Sequence, residues 1–88
     1  MRYNVTRLCG GKALMTSPRE IFGIDMEDAK RILSDIGDVR TSDDMMIIMM
    51  WKDMAVTVYP QGKIMFHPLD DRELAISYAN EILGALIK

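Results

Sequence analysis

The chain has 88 residues, a formal net charge of −2 and a sequence pI near 5.2, with 49% hydrophobic and 27% charged residues. That size fits one domain, 1–88, and the acidic balance argues against a dedicated nucleic-acid binder, which normally carries a strong basic excess. No apolar run reaches the ~18–20 residues of a membrane span. The N-terminus is too polar for a secretory signal, and one cysteine cannot close an internal disulfide, so a reducing, cytoplasmic setting is expected.

Tyr3 to Leu8 alternate as Y-N-V-T-R-L and predict a first strand, ended by Cys9-Gly10-Gly11-Lys12. Ser17-Pro18-Arg19-Glu20 has the form of a helix start, with a capping serine, an early proline and glutamate three residues on. This predicts a short helical turn near Pro18–Phe22. Asp25 begins a second start, with Asp28 at the matching position. Ala29, Ile32, Leu33 and Ile36 then recur at helical spacing, predicting a helix near Met26–Ile36, and Gly37 sits where a left-handed C-cap belongs.

Val39–Ser42 reads as a short strand, Asp43-Asp44 as a turn and Met45–Trp51 as a strongly apolar strand. Lys52-Asp53 is the right length for a two-residue hairpin loop, followed by the strand A-V-T-V-Y. If Trp51 pairs with Met54, then Met45, Ile47, Met49 and Trp51 share a face with Val56 and Val58. Met46, Ile48 and Met50 then lie opposite, beside Thr57 and Tyr59. Pro60-Gln61-Gly62 turns the chain into K-I-M-F-H, which puts Ile64 and Phe66 with Val56 and Val58.

The last helix is predicted to start at Asp70 as N-cap, with Glu73 its reciprocal partner and Leu69 and Leu74 a hydrophobic staple. Ala75, Tyr78, Ala79, Ile82, Leu83 and Leu86 then form one apolar stripe. The expected fold is therefore α+β in two layers: an antiparallel sheet of about five strands, order β-α-β-β-β-β-α, with two helices on one face.

This order resembles one half-repeat of the TATA-binding protein. The hairpin is similar too, with Val56-Thr57-Val58-Tyr59, a turn containing Gly62-Lys63, and Ile64-Met65-Phe66, followed by the helix from Arg72 to Leu86. The resemblance implies that Thr57, Tyr59, Met65 and His67 lie on an open concave face, which in that family grips the DNA minor groove. Here the hairpin occurs once and His67-Pro68 replaces a small Thr-Gly-like pair. The chain also resembles small archaeal proteins of unassigned function.

No set of residues forms a convincing catalytic constellation, and no cofactor or metal is expected. Cys9 and His67 are the only Cys and His, short of the three or four ligands of a zinc site. They leave a metal, nucleophile or small-ligand site near Cys9, Tyr59 and His67 as an alternative, against the commoner reading of a buried thiol and a surface imidazole. The nine methionines raise Cu(I) binding, yet Met46 and Met50 would stand roughly 13 Å apart, and such clusters usually serve packing. Asp43-Asp44 and Asp70-Asp71 fit a turn and a helix start, and Gly10-Gly11-Lys12 lacks phosphate-loop spacing.

An open apolar face is the feature left over. Met46, Ile48, Met50, Thr57, Tyr59, Met65 and His67 are expected to form an interaction face through which the chain self-associates as a weak to moderate homodimer or meets another, unidentified protein. A nucleic-acid interface on that face is the alternative, with Lys12, Arg40, Lys52 and Lys63 around it.

Overall fold

The computed structural model describes residues 3–8, 12–20 and 23–86. Six strands and two helices follow in the order β1 (Tyr3–Arg7), β2 (Leu14–Pro18), α1 (Met26–Ile36), β3 (Asp38–Ser42), β4 (Ile47–Trp51), β5 (Met54–Val58), β6 (Ile64–His67) and α2 (Arg72–Leu86). The fold is α+β in two layers. The strands form one antiparallel sheet in the spatial order β1-β2-β6-β5-β4-β3.

One strand more than expected is present, and it comes before α1. The Ser17-Pro18 segment that resembles a helix start instead ends β2, and Arg19 and Glu20 follow in a bend. Ile21 and Phe22, the rest of that expected turn, lie outside the described residues, as do Cys9, Gly10 and Gly11. Tertiary pairing overrode the local capping pattern, because Leu14 and Thr16 are buried between β1 and β6. The Thr16 hydroxyl, sealed in this interior, donates to the Ile64 carbonyl at 3.2 Å.

The hydrogen-bond phase explains how a proline sits in this strand. The Leu8 N–H donates to the Ala13 carbonyl at 2.9 Å, so Leu8, Thr6 and Asn4 turn their backbone groups toward β2. Pro18 lies opposite Tyr3, at a pair that exchanges no hydrogen bonds, and its missing N–H costs the β1–β2 ladder nothing.

The β4–β5 hairpin has the expected register, with Trp51 opposite Met54. Lys52 and Asp53 both adopt positive φ (50° and 63°), the type I′ pattern that matches strand twist. Gly62, at φ 97°, closes the β5–β6 turn by donating to the Tyr59 carbonyl at 3.0 Å, while the Tyr59 N–H donates to the Lys63 carbonyl at 2.9 Å.

Helix α1 starts as read, since the Asp25 carboxylate accepts from the N–H groups of Glu27 and Asp28. Its end differs. Gly37 donates to the Leu33 carbonyl but is extended (φ −149°, ψ −174°), not left-handed. Glycine is needed there for space: a Cβ would meet Met49 Sδ and the Met50 carbonyl oxygen at 3.0 Å each.

Helix α2 starts one residue later than expected. Asp71, not Asp70, accepts from the N–H groups of Glu73 and Leu74, and the Ala75 N–H donates to the Asp71 carbonyl. Asp70 instead pairs with Arg7 of β1. That shift moves Leu74 off the staple position and leaves it exposed, while Leu69 packs against the core.

Both helices feed one core. Ala29 and Leu33 of α1 and Ala75, Ala79, Ile82 and Leu83 of α2 bury against Leu14, Ile47, Met49, Val56, Val58, Ile64 and Phe66. Tyr78 stands edge-on to Trp51 at 5.2 Å and tilted against Phe66 at 6.1 Å. Met45, expected on this inner face, lies in the β3–β4 turn and is exposed, where the Asp43 carboxylate holds the Met45 and Met46 N–H groups.

Candidate interaction surface

With the helices on one side, the other side of the sheet has no covering layer among the described residues. Antiparallel register brings its side chains into rows across the strands. The central row runs Thr6, Met15, Met65, Thr57, Ile48, Thr41, one residue from each of the six strands. It holds no ionisable group. A second row, on one side of it, runs His67, Ala55, Met50, Asp38. On the other side, the register continued by one residue sets Met46 beside Tyr59 and Tyr59 beside Lys63.

All seven residues expected on the open face therefore lie on that side or at its margin. Met46, Ile48, Tyr59 and Met65 are half-buried, and Met50 and His67 are exposed. Thr57 is only 4% exposed although no helix lies over it. Its cross-strand neighbours are Ile48 and Met65, so apolar side chains flank it in the middle of the face.

Met15, Thr6, Ala55 and Thr41 belong to the face and were not identified from the sequence. The alternation of Leu14 and Thr16 against Met15 and Ser17 is the signal that marks β2, and the serine-proline pattern beside it obscured that signal.

Charge stays at the margins. Arg40 pairs with Asp38 on β3 at 2.9 Å, and Lys63 is exposed beside the β5–β6 turn. Lys52, expected beside the open face, instead sets its Nζ over the rings of Trp51 (5.0 Å) and Tyr78 (5.7 Å) on the helix side. The cationic ring read from the sequence is thus missing one of its four members.

The alternative small-ligand site is not assembled by the residues that can be placed. His67 lies opposite Ala55 and Tyr59 follows Val58, so the two stand about four residues, ~13 Å, apart along the sheet. Cys9 lies outside the described residues. Among the described residues, no three Cys, His, Asp or Glu side chains come together as a metal site. A hollow of about 180 Å³ lies at the start of α1, lined by Met26, Glu27, Lys30, Ser42, Asp43 and Asp44. Asp43 Oδ1 in it is already engaged in holding its turn. No described helix is long and apolar enough to cross a membrane.

Neither a protein-family model, nor a characterised protein, nor a solved structure was found to match this chain.

Proposed function

We propose that the chain is a binding and assembly module that pairs with a second copy of itself through the open face of its sheet. The supporting observation is the central row from Thr6 to Thr41, which spans every strand without an ionisable side chain. Such a row can leave water without desolvating a charge, the cost that otherwise opposes burial.

Area sets the strength. Six strands ~4.8 Å apart and ~17 Å long make a face of about 490 Å². Two faces together remove about 1,000 Å², near the lower limit for a specific interface, which favours a weak to moderate dimer. The sixth strand, β2, brings the face to that limit. The resemblance to the TATA-binding protein would give the same face to DNA. A phosphate-binding surface gains its affinity from cations that release counterions, and the central row supplies none.

Light scattering tests the reading. The wild-type mass should exceed the 10.0 kDa of one chain, and Ile48→Lys should lower that mass by half while leaving the circular dichroism unchanged. A strict monomer at high concentration, or a mass indifferent to Ile48→Lys, overturns it. Tight binding of duplex DNA at low salt that collapses as salt rises would transfer the face to nucleic acid.

A further inference from the structure

The sheet has two edge strands, and they are built differently. β3 carries the devices that discourage another strand. Its register with β4 shifts between Val39 and Thr41, a bulge at Arg40, and Asp38 and Arg40 put two charges along five residues. Pairing β3 with a copy of itself about its centre would set Arg40 against Arg40. β1 has no bulge and no proline, and its one charged residue, Arg7, stands at its end and pairs with Asp70. Among the described residues β1 has a strand neighbour on the β2 side only.

The outward side of β1 has a definite phase. Leu8, Thr6 and Asn4 spend their backbone groups on β2, so Tyr3 and Val5 direct their N–H and C=O away from the sheet. We infer that β1 is a second self-association site, where two copies join antiparallel about Val5 and extend the sheet from six strands to twelve. In that register Val5 meets Val5 of the second copy as a hydrogen-bonded pair. Asn4 faces Thr6, and Tyr3 faces Arg7. The pairs are β-branched with β-branched, polar with polar and aromatic with guanidinium, with no like charges opposed.

The helix layer is consistent with this axis. α2 lies over β1, where the Tyr3 hydroxyl donates to Asn80 Oδ1 at 3.0 Å. Ile76, one turn earlier on the same line of α2, is half-buried. Joining the two β1 strands would bring two such helix flanks side by side. This edge contact is separate from the open face proposed above, and it leaves that face accessible.

The test is made in an Ile48→Lys background, which removes the open-face contact. Sedimentation of this variant should show a dimer that dissociates on dilution, and adding Val5→Pro should reduce it to a monomer. Proline suits this position as a probe, because the Val5 N–H points away from β2 and its loss leaves the β1–β2 ladder intact. Circular dichroism checks that both variants are folded. A second pair of variants excludes a merely structural effect. Asn4→Lys with Thr6→Lys opposes like charges across the two-fold axis and should weaken the dimer at least tenfold. Asn4→Glu with Thr6→Lys should restore it. A strictly monomeric Ile48→Lys protein, a dimer indifferent to Val5→Pro, or equal effects of the two charge pairs overturns the inference. The open-face reading fails on a different observation, a wild-type mass that Ile48→Lys does not change.

Discussion

Alanine at Gly37 and at Gly84 should change stability in opposite directions, for reasons that the backbone angles alone would not reveal. Gly37 is extended at φ −149°, a conformation that alanine adopts without strain. The obstacle is space, since a Cβ there lies 3.0 Å from Met49 Sδ and 3.0 Å from the Met50 carbonyl oxygen. The thioether can swing aside, but the carbonyl belongs to the β4 backbone and yields only if the strand shifts with it. Overpacking of this kind costs about 1–3 kcal/mol, offset by about 0.4–1 kcal/mol from the smaller entropy of the unfolded chain. The balance is a net loss of about 1.3 kcal/mol at the middle of these ranges and about 2.6 kcal/mol at most. For 88 residues the unfolding entropy is about 185 cal/mol/K, so the mid-range loss lowers the Tm by about 7 °C. At Gly84, inside α2, no atom beyond its chain neighbours and the helix's own backbone lies within 4 Å of the added Cβ, and Gly84→Ala should gain about 0.5–1 kcal/mol from helix propensity. Urea melts of both variants read these differences directly. Gly37→Asn gives the sharper comparison, because a left-handed cap would accept asparagine and a crowded extended position would not. Melting of Gly37→Ala at or above the wild-type temperature would refute the steric argument.

Phe66, fully buried beside Tyr78 and flanked by Leu14 and Val56, should cost about 3–5 kcal/mol as Phe66→Ala, a large share of the roughly 4–13 kcal/mol expected for a domain of this length. A Tm within a few degrees of wild type would mean that the two sides of the hairpin are exchanged. Asp71→Ala should lose about 0.5–2 kcal/mol with the α2 cap, whereas Asp70→Ala removes only a solvent-exposed pair with Arg7, worth about 0–1 kcal/mol. Denaturant melts in which Asp70→Ala costs more would return the cap to Asp70. Burial raises the Tyr3 pKa above its ordinary value, so the neutral phenol is favoured in the folded state. Its contribution to stability is full below about pH 10 and is lost as pH rises through the folded pKa; melts from pH 9 to 11 should show a decline that Tyr3→Phe reduces.

Much of this architecture follows from local pattern. The 3.6-residue spacing of Ala29 and Leu33, and of Ala75, Ala79, Ile82 and Leu83, determined both helices and the sides they bury. The two-residue Lys52-Asp53 spacing determined the β4–β5 register, and with it which side of the hairpin faces the core. The open face was legible for the same reason, because alternation along β4, β5 and β6 puts every second residue on the side without helices.

What tertiary structure decided are the places where two local readings competed. Ser17-Pro18 carries a helix-start signal and a strand-end signal at once. The choice fell to the strand because β2 completes hydrogen bonds with β1 and β6 together, which no local cap could supply. Asp70 and Asp71 are equally good caps by residue type, and Arg7, 63 positions away in sequence, engages the first and leaves the cap to the second. Gly37 could have been a left-handed cap or a point of close approach, and only the position of Met50 on β4 distinguishes them. The edge strands differ for the same kind of reason. Alternation makes β1 and β3 look alike, but which strands end the sheet, and which way their backbone groups point, depends on pairing between segments far apart in the chain. Local sequence sets periodicity within a few residues, whereas the identity of an edge or a cap is set by a neighbour that reaches it only once the chain has folded.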